Sequence, residues 1–176
     1  MFGRNLRIVM GVICFVFGCI IINYGMLIEG ALLILSVLFI IYGYFRNGTV
    51  WKAFQSIKKN NFAKAKKELS QISKPDLLSK SQKGYYYWAL GLIKLKDNDL
   101  YAAEEHIRKA LDFGVRTEND IALLNLNLAQ IFYQKEQFQE AYIYLNKTKD
   151  ISHKSSVDVY ILELEQMLNK INLKQS

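Results

Sequence analysis

Two cysteines, two histidines and one proline are all that this 176-residue chain has of those types. Cys14 and Cys19 both sit in one apolar run near the N-terminus, with no cysteine elsewhere to pair with. Neither a disulfide framework nor a thiolate metal site can be built from them. His106 and His153 lie in separate segments without a neighbouring Cys, so they offer no metal-ligand spacing and are expected on solvated helix surfaces. There is no glycine-rich phosphate loop, no nucleophile elbow and no convincing acid/base constellation. These absences argue against an enzyme and predict neither cofactor nor metal.

What is present is uneven. Residues 6–45 are almost uninterruptedly apolar and the rest is not. Charge is also local: Arg46 to Lys83 holds ten basic against two acidic residues, a net +8, whereas Gly84 to Ser176 holds eleven against thirteen, a net −2.

Two apolar stretches run from Leu6 to Tyr24 and from Met26 to Phe45. At about 1.5 Å per residue each reaches the thickness of a bilayer's hydrocarbon core. Only Gly25 and its neighbours Asn23 and Tyr24 separate them, which predicts an antiparallel transmembrane hairpin over residues 1–46, with spans at about 6–24 and 26–45. Arg4 and Arg7 before the first span, Arg46, Lys52, Lys58 and Lys59 after the second, and no Lys or Arg in the turn place both termini in the cytoplasm. The expectation is therefore a multi-pass plasma-membrane protein whose bilayer-facing basic segment, Lys58, Lys59, Lys66 and Lys67, adheres to anionic lipid. Gly11, Cys14 and Gly18, with Ser36 and Gly43, suggest a small-residue seam where the two helices pack, or where copies of the chain associate into a homo-oligomer. Glu29, the single acidic residue in the spans, is placed near their outer boundary.

The remaining residues repeat. Asn60-Asn61-Phe62-Ala63-Lys64-Ala65, Asn98-Asp99-Leu100-Tyr101-Ala102-Ala103 and Glu136-Gln137-Phe138-Gln139-Glu140-Ala141 are related segments that close on equally spaced alanines. An amphipathic helical pattern precedes and follows each, so the unit is a helix, a polar turn and a second helix. Basic residues between Lys52 and Lys67 alternate with Phe54, Ile57, Phe62 and Ala65 as one solvated helix face does, which argues against nucleic-acid binding. Gly114 is expected to end a helix, and Thr117 with Asp120, and Ser155 with Asp158, to cap helix starts. Val157, Tyr160, Ile161, Leu164, Leu168 and Ile171 form one apolar stripe on a final helix within residues 155–176, which would cap the stack.

These units resemble the tetratricopeptide repeat family. The middle one matches best, with Tyr87, Leu90 and Gly91 on its first helix and Ala103, Ile107 and Ala110 on its second. The third has Leu128, Ala129 and Phe132, then Ala141 and Leu145, with Thr148 where the family prefers Ala. The first keeps Ala53, Phe62, Ala65 and Leu69. The resemblance implies an all-α solenoid of about three repeats over 47–154, at about 47–74, 84–114 and 119–153, of a membrane-anchored bacterial type. It also implies a scaffold or adaptor whose first helices line a groove for a partner peptide or helix. By position that groove would carry Tyr85, Trp88, Leu92 and Leu95, then Leu126, Gln130 and Tyr133. The alternative is a membrane-surface or self-associating structural protein that uses its basic segment.

Overall fold

The computed structural model describes the backbone of residues 4–175 and the side chains of 13–38 and 50–171. Among the described residues the secondary structure is entirely helical, in two compact units, Met1–Gly48 and Thr49–Ser176.

In the first unit α1 (Arg4–Asn23) turns back through Gly25, at φ 86, into α2 (Leu27–Lys58). The helices pack antiparallel with their backbones in close approach at Gly18 and Gly30. A Cβ on Gly18 would lie 3.2 Å from the Gly30 carbonyl oxygen and 3.1 Å from Ile34. Ser36 is not part of this crossing; it is exposed and its hydroxyl donates to the Leu33 carbonyl at 2.7 Å. The side chains at Arg4, Arg7, Gly11, Gly43 and Arg46 lie outside the described residues.

The hairpin is present, but its transmembrane reading is corrected: among the described residues no helix is long and apolar enough to cross a membrane. That overturns the expectation of spans at 6–24 and 26–45 and of a multi-pass plasma-membrane protein with cytoplasmic termini. Helix boundaries and apolar boundaries do not coincide. The first helix starts at Arg4 and takes in Arg7, while α2 carries Glu29 in its first turn and runs beyond the apolar stretch to Lys58. Large apolar side chains, Phe15, Phe17, Leu32, Leu35 and Leu38 among them, are exposed on this hairpin.

The second unit repeats one geometry. Helices α3 (Phe62–Ser70), α5 (Leu100–Phe113) and α7 (Phe138–Lys149) begin at equal intervals along the chain. Each follows a partner: the end of α2, α4 (Lys80–Lys96) and α6 (Glu118–Gln134) respectively. The turns are equivalent, with Asn60, Asn98 and Glu136 left-handed at φ 57, 61 and 60. The next amide in each donates back across the turn, Asn61 to Ser56, Asp99 to Lys94 and Gln137 to Phe132, at 2.9–3.0 Å. This closes the preceding helix in a Schellman pattern. Asn61 and Asp99 then accept from the Lys64 and Ala102 amides as N-caps, a bond the third turn lacks at Gln137.

Small residues stand where each pair crosses. Ala65, Ala103 and Ala141 are fully buried, and Leu69, Ile107 and Leu145, one helical turn on, fill the space beside them. A Cβ on Gly91 would meet Ile107, so α4 leaves room for that side chain at a position where the flanking hairpins have Ala53 and Ala129. Thr148, in the place of an alanine, is fully buried because its hydroxyl donates to the Tyr144 carbonyl at 2.9 Å. Between the first two hairpins runs a loop with a 3₁₀ turn at Pro75–Leu77, and Ser79 with Gln82 forms a reciprocal capping box at the start of α4.

Helix α8 (Ser155–Gln175) packs on α6 and α7 through Val157, Ile161, Leu164 and Leu168. Tyr160, expected in that stripe, is 58% exposed because it falls beyond the stripe's edge. The expected cap at Ser155 is also corrected. Ser155 is already helical, and the Asp158 carboxylate bonds to His153 instead.

Candidate functional site

The groove residues occupy two helix faces with different environments. On α4, Tyr85, Leu92 and Leu95 are half-buried, while Trp88 is only 6% exposed. Phe54, from the end of α2, covers it: the Phe54 ring stands edge-on to Trp88 at 5.1 Å and to Tyr85 at 5.8 Å, and Tyr85 stacks on Trp88 at 6.1 Å. Trp88 is thus a core anchor between the first two hairpins, and its buried Nε1 has no hydrogen-bond partner. On α6, Leu126 is 8% exposed, Tyr133 is half-buried with its ring against Phe138, and Gln130 is exposed. The accessible part of the face is therefore Tyr85, Leu92 and Leu95 with Gln130 and Tyr133.

The rest of the Tyr85-Tyr86-Tyr87-Trp88 run divides by helix face. Tyr87 turns toward α5, stacked on Phe113 at 5.3 Å and on His106 at 6.0 Å. Burial lowers the His106 imidazole below its ordinary value. Tyr85 does more than line a face. Its hydroxyl donates to Asp120 Oδ2 at 2.5 Å and accepts from the Arg116 amide at 3.2 Å, tying α4 to the start of α6. Burial, then the Asp120 carboxylate, pushes its phenol up to about 12. Thr117 caps the same helix start by accepting from the Asp120 amide.

The four basic positions do not form one free patch. Lys58, Lys59, Lys66 and Lys67 are all exposed. Lys66, however, is paired with Asp97 at 2.7 Å, holding α3 to the end of α4, and Lys58 lies 5.9 Å from the centre of the Trp51 ring.

A third cluster escaped the sequence. Glu104 on α5 accepts from Arg108 and from Lys135, each at 2.8 Å; Arg108 also donates to the Tyr144 hydroxyl at 2.8 Å, and Lys135 lies 4.3 Å over the Tyr101 ring. Glu104 and Lys135 are 18% and 11% exposed, so the pair is largely out of water. Burial opposes the charge on Glu104, but the hydrogen bonds from Lys135 and Arg108 outweigh it and hold the carboxyl below its usual range. The one available signal was Glu104 and Arg108 at i, i+4; Lys135 and Tyr144 come from the next hairpin and follow no motif. Among the described residues no group of His, Cys, Asp and Glu could hold a metal ion.

No family model, no curated protein and no solved structure matches this chain.

Proposed function

We propose that the second unit is a tetratricopeptide-like array acting as a non-catalytic interaction scaffold, which presents the α4 and α6 faces to a peptide or helix of a partner protein. The observation that carries this is that Tyr85, Leu92 and Leu95 on α4 and Tyr133 on α6 are half-buried and Gln130 on α6 is exposed, on two helices that occupy equivalent places in an evenly spaced repeat. Repeated hairpins give a rigid frame, and partly exposed aromatic and aliphatic side chains on such a frame offer anchor sites at little cost in ordering. A photo-crosslinker at exposed Gln130, compared in cells with one at exposed Glu140 on α7, tests it. One dominant protein adduct from Gln130 alone supports the scaffold; equal labelling from both positions, or none, removes it.

The first unit supports a second reading. Its exposed Phe15, Phe17, Leu32, Leu35 and Leu38 make an apolar surface of the kind that marks association, and self-association through this hairpin would cover it. Light scattering of the full chain gives the answer directly, since a monomer at tens of micromolar (about the range in which weak dimers form) sinks this reading.

A further inference from the structure

The turn between α7 and α8 holds His153 in an arrangement that neither the repeat nor the groove requires. The side chain is 12% exposed, with Nδ1 2.6 Å from the Ile151 carbonyl oxygen and Nε2 2.9 Å from Asp158 Oδ1. Both partners can only accept. A neutral imidazole has a single N–H, so it would satisfy one contact and set a lone pair against an oxygen at the other; the imidazolium alone donates to both.

The same turn ties the start of α8 to α6. The Lys154 amide donates to Asn119 Oδ1 in α6 at 2.9 Å, and the Lys154 carbonyl accepts from the Val157 amide in the first turn of α8 at 2.8 Å. Of the elements meeting there, α8 supplies Asp158, the chain leaving α7 supplies the Ile151 carbonyl, and α6 supplies the uncharged Asn119. Among the described residues a single carboxylate therefore bonds to the ring.

We propose that His153 is a proton-operated latch: as imidazolium it fastens the start of α8 to the array, and its deprotonation loosens the helix. The hydrogen bonds to Ile151 and then Asp158 raise the ring's pKa above its ordinary value. A raised value means that the stabilisation is complete below the unfolded pKa of about 6.5 and is lost as pH climbs through the folded value. Release would uncover Val157, Ile161, Leu164 and Leu168 together with the faces of α6 and α7 beneath them. The array's last surface is thus closed under mildly acidic conditions and opens more readily toward alkaline ones.

Amide hydrogen exchange of the intact chain, compared at about pH 6 and about pH 8.5 after correction for chemical exchange, reads this directly. The expected result is a several-fold loss of protection in α8 at the higher pH, with α4 and α5 unchanged, and disappearance of that difference in His153→Gln. Equal α8 protection at both pH values, or a full pH difference in His153→Gln, overturns the latch. A ring titration of His153 by NMR, in the unaltered chain and in Asp158→Asn, gives a second readout. A midpoint above the ordinary value that falls in Asp158→Asn supports the latch; one at or below it overturns the latch.

Discussion

The two joints of the repeat array are built from different chemistry. Where the first hairpin meets the second, Phe54, Tyr85 and Trp88 close a ring cluster, and the ion pair between α3 and the end of α4, Lys66 with Asp97, is about half exposed. Where the second meets the third, Glu104, Arg108, Lys135 and Tyr144 make a polar network whose Glu104–Lys135 pair is largely out of water, while Arg108 stands at its exposed edge. An aromatic joint gains from area and tolerates small shifts, because apolar burial has no direction. An ionic joint gains only at one geometry, since two desolvated charges that miss each other are worse than none. The first joint should therefore be strong and insensitive to pH, and the second strict in register and sensitive to it.

Trp88→Ala should have the largest effect. Removing a side chain that is 6% exposed from between Phe54 and Tyr85 is expected to cost about 3–5 kcal/mol. Hydrogen exchange should show α3 and the end of α2 losing protection before α6 and α7 do. Simultaneous loss across the whole unit would show that the joints are not separable.

Glu104→Gln comes next, at about 1–3 kcal/mol, because Lys135 and Arg108 keep their charges but lose the carboxylate charge between them and one of its two acceptor oxygens. The wild-type contribution has a definite sign. Glu104's folded pKa is lowered, so its stabilisation is present above the unfolded value and is lost as pH falls through the folded one. Urea denaturation of the two proteins between neutral and acid pH should converge as the carboxyl protonates; parallel curves would place the pH dependence elsewhere. Tyr85→Phe is expected to cost about 1 kcal/mol, since it keeps the ring against Trp88 and deletes only the hydroxyl that joins α4 to Asp120. In a double mutant with Trp88→Ala, coupling should be small if the hydroxyl serves the second joint alone.

The contrast also explains what could be read from the chain without its structure. The repeat was legible because it depends on local rules: small residues at 65, 103 and 141, large ones a turn further on, and polar turns between. Helical periodicity likewise located α8 and most of its buried face. The apolar stretch was legible as a hairpin but not as two spans, because hydropathy does not say where a helix begins or ends, and both helices take in charged residues beyond the apolar limits. Burial at the groove was illegible for a related reason. Trp88 lies on the face that position assigns to a groove, yet Phe54, from the preceding hairpin and on another helix, covers it. His153, too, reads as a surface histidine until the Ile151 carbonyl and Asp158 are seen on its two nitrogens.

The smallest expected effect tests the repeat itself. Asn60 and Asn98 hold the left-handed position of the first two turns, and Glu136 holds it in the third at φ 60. A left-handed backbone costs an ordinary L-residue about 1–2 kcal/mol, and Asn less, because its short amide makes local hydrogen bonds there. Glu136→Asn should therefore stabilise the chain, by about 0.5 kcal/mol after allowing for context, seen as a higher urea midpoint without a change in slope. The reciprocal Asn98→Glu should cost a similar amount. A gain in one and a loss in the other would show that the turns are energetically equivalent members of one repeat. If Glu136→Asn gains nothing while Asn98→Glu costs its full share, the third turn is set by its packing, with the Tyr133 ring on Phe138 fixing the chain whatever residue stands between.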